Sequence, residues 1–307
     1  LIDPWLSEKG AFFGSWFQWP INHHLKNQLL EKLRQNLNNY LYISHEHQDH
    51  FDKETLKLIK PMIKSCIIPN YHDPFLFNQM KSLGYDVISL KENLKHYFND
   101  KDYMELMIVD TGVNHDSAAI INLENKIFVN QNDCKIFDRL PYLADKKVDY
   151  YAVQFSGANW HPVCYEMSDL ERKKISQKKV LSKLVAVRNA IKQIKPRYYI
   201  PSAGPAIFPF LKNELSLGAD NIFVHQPDIK NFLINSNTEV ICPRPGDDIN
   251  NTINYEPIEP PNKNDLDNLK KELKCEFYEF DDKSLDTENL IKEITDRLDQ
   301  IKDLKFS

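Results

Sequence analysis

Apolar and polar positions along the chain follow two periods, one helical and one of alternating or continuous strand type. LKNQLLEKLRQNL (25–37) has apolar residues at three- and four-residue spacing and predicts a helix. The short apolar run YLYIS (40–44) predicts a buried strand. DKETLKLIKPMIK (52–64) then predicts a helix whose first-turn acids, Asp52 and Glu54, complement the helix dipole. SCIIPN (65–70) and YDVISL (85–90) read as strands on either side of a helix over FLFNQMKSLG (75–84). MELMIVD (104–110), AAIINLE (118–124) and KIFVNQND (126–133) form a strand series with ENK (124–126) as a hairpin turn. VDYYAVQF (148–155) predicts another buried strand, residues 175–195 a long amphipathic helix, and RYYIPSA (197–203) a strand after it. LIDPWL (1–6) reads as a strand ended by Pro4, and DNIFVHQP (220–227) and TEVICPRPGD (238–247) as shorter strands.

Strands that come first as a group and then alternate with helices predict a layered α/β or α+β architecture. The texture changes near residue 250. NYEPIEPPNKND (254–265) reads as a linker or surface loop, and 265–280 and 287–304 carry two helical patterns. The expected organisation is therefore one domain over 1–250 and a linker with a helical C-terminal extension over 251–307.

Composition narrows the class. The 307 residues are 42% hydrophobic and 27% charged, as in soluble globular proteins. A net charge of -5 argues against a general nucleic-acid binder, which would show a basic face. Lys-rich ERKKISQKK (171–179) reads as a solvated helix face. No apolar run reaches the roughly 20 residues of a membrane span, and no signal peptide is visible. The five cysteines (66, 134, 164, 242 and 275) have no CxxC spacing, which fits reduced thiols in a cytoplasm. Glycine is scarce, at eight residues, and neither GxGxxG nor GxxxxGK[ST] occurs. The chain opens with Leu1 inside an apolar run, which implies an upstream piece. AFFGSWFQWP (11–20) holds five aromatics, fitting either a loop packed on the core or the wall of a substrate pocket.

The candidate chemistry is concentrated in YISHEHQDH (42–50). His45 and His47, at i and i+2 at the end of a strand, project to one side and make a natural pair of metal ligands. Asp49 and His50 follow in the turn before the helix, where one can return to the same ion and the other reach a second. Three neutral imidazoles and a carboxylate suit Zn²⁺, Fe²⁺ or Mn²⁺.

HxHxDH after a buried strand resembles the metallo-β-lactamase superfamily. The resemblance implies a four-layer αββα sandwich with a mono- or dinuclear metal site at one edge. It also implies two later ligands: a His following a strand, here His115, and a bridging Asp ending a later strand, here Asp133. The superfamily's last His ligand has no counterpart in RYYIPSAGPAIF, where Ser202, Ala203 and Gly204 stand. His161 in NWHP and His225 in FVHQPD are the residues that could fill or flank this gap. His161 is the better placed, as a ligand or a substrate contact, and Trp160 beside it is a further substrate-binding candidate.

More narrowly, several segments in order resemble the catalytic region of the CMP-N-acetylneuraminate hydroxylase family. They are DPWL (3–6), YISHEHQDH (42–50), 115–121, VNQNDCKIFDRLP (129–141), QFSGANWHP (154–162), KPRYYIPSAGP (195–205) and CPRPGD (242–247), spread over roughly 1–250. That family also lacks the final His. The resemblance implies iron, O₂, a nucleotide-sugar-like or other small polar substrate, and electrons from a Rieske [2Fe–2S] domain or other donor protein. A Rieske centre needs two Cys and two His, and no C-x-H followed by C-x-x-H occurs in these residues, so the cluster is not encoded in this segment.

Two mechanisms follow. In an oxygenase, His45, His47, Asp49, His50, His115 and Asp133 cage one or two irons, with Arg139, Arg197 and Arg244 as candidate contacts to an anionic substrate. In a hydrolase of an ester, amide or phosphoester, the same cage holds zinc, manganese or iron. The metal generates hydroxide near neutral pH, and Asp49 serves as the catalytic residue that orients it.

Overall fold

The computed structural model describes residues 1–272 except 113, 158–160, 162–164, 212, 218–220, 250 and 252, together with 291, 292, 294 and 295. The chain divides into two compact units, Leu1–Leu273 and Lys274–Ser307. The helical patterns expected beyond 272, and Trp160, lie outside the described residues apart from the four positions named.

In chain order the first unit runs α1 (Lys26–Arg34), β1 (Tyr40–Tyr42), α2 (Lys53–Ile59), β2 (Ser65–Pro69), α3 (Phe75–Ser82), β3 (Val87–Leu90), β4 (Lys95–Tyr97), β5 (Tyr103–Asp110), β6 (His115–Leu123), β7 (Lys126–Asn132), α4 (Leu140–Ala144), β8 (Tyr150–Gln154), α5 (Asp169–Ile194), β9 (Tyr198–Ser202), α6 (Asn213–Ser216), α7 (Gln226–Phe232), β10 (Glu239–Val240) and α8 (Lys263–Glu272). β1, β2 and β3 form a parallel three-stranded sheet. The other seven strands form a second sheet in the order β10-β9-β8-β7-β6-β5-β4, antiparallel from β4 to β7 and parallel from β7 to β10.

Side-chain alternation stacks these sheets. Tyr42 and Ile67 of the small sheet meet Met104, Leu106, Ala119 and Ile121 of the large one in a shared core. The intervening residues Leu41, Ile43, Cys66 and Ile68 face the other way, onto Leu33, Leu56, Ile59, Leu76 and Met80 of α1–α3. On the large sheet Met107, Ala118, Ile120 and Val129 pack under Leu184, Val187, Ile191 and Ile194, the three- and four-spaced stripe of α5. The layers are therefore helix, sheet, sheet and helix: the αββα sandwich expected from the sequence.

Several elements follow from local chemistry. Asp52 caps α2 and Ser168 caps α5 in a capping box with Glu171. Glu124 and Asn125, at φ 51° and 62°, make the tight turn between β6 and β7.

The structure also corrects three expected strands. In LIDPWL only Ile2 pairs, bridging to Tyr42, because Asp3 turns the chain at φ 38°. FVHQPD opens α7, since Pro227 suits a helix's first turn and Asp228 accepts the His225 N–H at 3.0 Å. TEVICPRPGD pairs only at Glu239–Val240, and Pro243 and Pro245 have no N–H to continue the ladder.

Candidate metal centre

β1 ends at Tyr42, and residues 43–52 cross to α2 along the end of the sandwich where β7, β8 and β9 also finish. His45 and His47 therefore sit in the crossing segment, just past the strand. Their rings still converge, with centroids 4.4 Å apart and Nε2 of His45 2.7 Å from Nδ1 of His47. Asp133, one residue beyond β7, completes a set of three ligand atoms that all lie within 4.8 Å of one another. His50 joins from the same corner, its ring 4.3 Å from that of His45, and its Nε2 stands 3.5 Å from Asp49 and 3.6 Å from Asp133. The structure thus brings together His45, His47, Asp49, His50 and Asp133.

Their outer partners fix orientation. Asp3 accepts from the Ser44 N–H and hydroxyl at 2.8 and 2.7 Å and from Asn132 Nδ2 at 2.9 Å, and its Oδ2 lies 3.0 Å from His50 Nδ1. With Nδ1 of His50 donating to Asp3, its Nε2 lone pair is left for the cluster. His45 Nδ1 lies 3.0 Å from Ser44 Oγ and 3.5 Å from Asp116.

Burial and neighbouring charge set the protonation. Burial, then the charge of His50, lowers His45 to about 3, so its imidazole is neutral. Burial works to lower His50 as well, but the Asp3 hydrogen bond and the charges of Asp3, Asp133 and Asp49 raise it to about 10. Of the three imidazoles expected to be neutral, His50 is thus cationic until a metal displaces its proton. Burial raises Asp49. Burial, then the charge of Asp133, raises Asp116 to about 8, whereas His50 and His45 outweigh burial at Asp133 and hold it low.

The cluster fits a divalent cation on its own chemistry. Oδ1 of Asp49 and Oδ1 of Asp133 are buried and accept no hydrogen bond among the described residues, and the protonated Nε2 of His50, 3.6 Å from Asp133 Oδ1, is the charge that a metal would replace. Buried carboxylate oxygens left unpaired are costly, and a cation satisfies both.

His115 stands elsewhere. The resemblance made it a metal ligand following a strand, but it is itself the first residue of β6, opposite Asp110. Adjacent strand residues point to opposite faces, so only one of His115 and Asp116 can face His45, and it is Asp116. His115 stacks on Tyr71 at 5.0 Å and lies 3.4 Å from both Glu46 and Asp110. His161 is buried with Nε2 2.8 Å from Ser176 Oγ of α5. The arginines are likewise engaged away from the cluster. Arg139 bonds Glu92 at 2.5 Å and the Ile108 carbonyl at 3.0 Å. Arg197 lies over the Tyr198 ring, at the opposite end of β9 from Ser202. Arg244 sits in an exposed turn, its N–H donating to Asp247.

Sequence reasoning missed Asp3, Asp116 and Asn132. DPWL flagged the first only as part of a similar segment, and β-strand parity at 115–116 was the signal for the second.

A cavity of about 450 Å³ opens beside Asp49 and His50. Ser202, Ala203 and Gly204 form part of its wall, where the sequence lacked a final His. Gly204, at φ +142°, holds a backbone conformation that L side chains rarely adopt, and a Cβ there would stand a tight 3.1 Å from that of Ser156.

No family model matches the chain. It is 32% identical over 239 residues to a putative Rieske 2Fe-2S iron-sulfur protein of Mycobacterium tuberculosis, covering 74% of this chain and 45% of that protein. A protein of the same description from Mycolicibacterium smegmatis is 29% identical over 216 residues, covering 68% and 40%. The chain thus spans less than half the length of the curated relatives it matches. Among solved structures, CmlA, a diiron beta-hydroxylase from Streptomyces venezuelae, has a TM-score of 0.43 at 15% identity, covering 67% of this chain and 44% of that one. The metallo-beta-lactamase fold protein YhfI from Bacillus subtilis has a TM-score of 0.43 at 13% identity, covering 71% and 81%.

Proposed function

We propose that the corner formed by His45, His47, Asp49, His50 and Asp133 holds one or two divalent transition metals, and that this chain is the catalytic portion of an iron-dependent oxygenase. The observation that carries the metal reading is the pair of orphaned buried oxygens on Asp49 and Asp133 among three imidazoles. The oxygenase reading is supported by the curated relatives, which are described as putative Rieske 2Fe-2S iron-sulfur proteins. A Rieske cluster delivers single electrons, which an O₂-using iron site needs and a hydrolytic site does not. No C-x-H followed by C-x-x-H occurs in these 307 residues, so this reading assigns the cluster to the part of the relatives' length that the chain does not span.

Bound iron would supply Lewis acidity and redox electrons at this corner. The chain's own residues do the rest. Asp3 holds Nδ1 of His50, so that Nε2 faces the cluster. Ser44 and Asp116 set the ring of His45. The cavity beside Asp49 positions a small polar substrate and limits water.

The test is metal content and reactivity together. The chain is loaded anaerobically with Fe²⁺ or Zn²⁺, and O₂ uptake is followed with a chemical reductant. Uptake by the iron form, lost in His47→Ala, is expected. Exclusive retention of zinc, with cleavage of ester or phosphoester probes and no O₂ uptake, would overturn the oxygenase reading in favour of hydrolysis.

A further inference from the structure

Five carboxamides line the cavity beside Asp49 and His50, and four of them donate to the protein itself. Gln18 Nε2 and Asn22 Nδ2 bond the Trp5 carbonyl, Asn130 Nδ2 bonds Asn132 Oδ1, and Asn132 Nδ2 bonds Asp3. Gln154 is the exception. Its Oε1 accepts from Lys183 Nζ at 2.5 Å, whereas its Nε2 donates to no described residue and is not fully buried. Chemistry fixes which end is which: an ammonium only donates, so the oxygen faces Lys183 and the NH₂ group is left over. Strand parity puts this side chain on the cavity face. Val153 and Phe155 pack into the core under α5, so Ala152 and Gln154 turn the other way, where both line the cavity.

Lys183 is itself out of place by pattern. Val180, Leu184 and Val187 of α5 pack on the core, and Lys183 shares their face at helical spacing, where an apolar side chain would serve packing better. Its hydrogen bond among the described residues is the one to Gln154, and no described carboxylate pairs with it. Burial lowers its amine to about 8 against the pull of the Asp133 charge, so it is cationic at neutral pH. An ammonium partly withdrawn from water without a carboxylate is costly, and its charge falls directly behind the free carboxamide. The acids of the lining, Asp3 and Asp49, are turned to Ser44, Asn132 and His50.

We propose that Gln154 Nε2 binds an oxyanion of the substrate, a carboxylate or phosphate, in this cavity, and that Lys183 is the positioning residue that aims it. The proposal rests on the metal corner being the reaction centre, and it adds the group by which the substrate is held there. Lys183 holds Oε1, so both N–H groups of Gln154 stay available to the ligand. Its charge strengthens those donors and draws an anion toward them. With an apolar side chain at 183 the carboxamide would be free to turn its oxygen into the cavity and meet the anion with a lone pair.

The test uses the whole chain labelled with ¹⁵N and free of metal. The Gln154 carboxamide signal is assigned by its loss in Gln154→Leu. Acetate and inorganic phosphate are titrated at constant ionic strength, with acetamide as the uncharged match to acetate. Acetate or phosphate should shift the Gln154 signal, the tighter of the two naming the oxyanion, and acetamide should bind about tenfold more weakly or worse. Gln154→Glu, whose carboxylate can pair with Lys183 and so keep the fold, should weaken anion binding by about tenfold or more. Lys183→Met should weaken it severalfold in the native background and have little further effect in Gln154→Leu, because it acts through that side chain. Absence of a Gln154 shift with both anions, acetamide binding as tightly as acetate, or an equal effect of Lys183→Met with and without Gln154 overturns the proposal. Iron uptake is measured on separate aliquots. Protein that takes up iron but shows no anion shift keeps the metal corner and loses this contact. Protein that shows the shift but takes up no iron keeps the contact and loses the reaction centre.

Discussion

Asp3 engages Ser44, His50 and Asn132, so one carboxylate ties the N-terminal segment to both flanks of the cluster. Asp3→Asn should leave the fold intact and weaken metal binding by about 10–100-fold, the usual effect of losing the group that orients a ligating His. Metal titration monitored by mass spectrometry checks this, and unchanged affinity would contradict the orienting role. His47→Ala should remove most bound metal, since it deletes one of the three mutually close ligand atoms. The same residues give a pH signature in the metal-free protein. His50 has a folded-state value of about 10 against 6.5 for the free side chain. Its protonation therefore stabilises the fold fully below pH 6.5, and that contribution is lost as pH rises through about 10. Asp116, raised to about 8, acts in the same direction between its ordinary carboxylate range and pH 8. The melting temperature with chelator present should accordingly fall from pH 6.5 to 8, and Asp3→Asn should flatten that slope. A melting temperature that rises over this window would contradict the assignment.

The HxHxDH corner was legible in the sequence because its four residues are contiguous and their convergence is local. Asp3 was not, because its partners lie 41 to 129 positions away and only the folded chain brings them together. His115 and Asp116 could not be told apart without knowing where β6 begins, since a one-residue shift exchanges the two faces.

Elements set how rigidly the corner is held. Asp52 caps α2, and it also accepts the N–H groups of Leu6 and Ser7 at 3.3 and 3.0 Å and the Thr55 hydroxyl at 2.5 Å. The expected dipole role of Asp52 is thus joined by a second one: it fastens the segment that carries Trp5 to the helix that follows the metal corner. Asp52→Ala should cost about 2–4 kcal/mol, more than an ordinary cap, because two buried amides are left with poorer partners. Ser168→Ala, at the exposed start of α5, should cost only about 1 kcal/mol. Chemical denaturation of the two variants compares them, and equal losses would count against the fastening role. At this scale the long strands and α5 were legible because burial on alternate positions or on a 3.6-residue stripe spans many residues. The short segments near 222 and 240 were not, because proline and a local cap outweigh a few apolar side chains.

In the whole first unit, three apolar layers hold the two sheets and their helices, and polar side chains collect at one end of the sandwich. The layered class followed from the order of strands and helices. The fact that Trp5, Trp16 and Trp19 wall a cavity beside the metal corner did not follow from it, since aromatic content alone serves core and pocket equally. AFFGSWFQWP does both: Ala11 and Phe17 are buried, and Trp16 and Trp19 face the cavity. Because the metal would bind the folded chain and not the unfolded one, saturating metal at about 100 times its dissociation constant should raise stability by about 2.7 kcal/mol over the chelated protein. A melting curve indifferent to metal would contradict a folded-state site.

The most direct measurement is anomalous X-ray scattering from crystals of the chain grown with ferrous iron under anaerobic conditions, with data taken on both sides of the iron edge. A peak bounded by His45, His47 and Asp133, with Asp49 and His50 beside it, is the expected result. A corner without an anomalous peak while iron binds elsewhere on the chain would contradict the account.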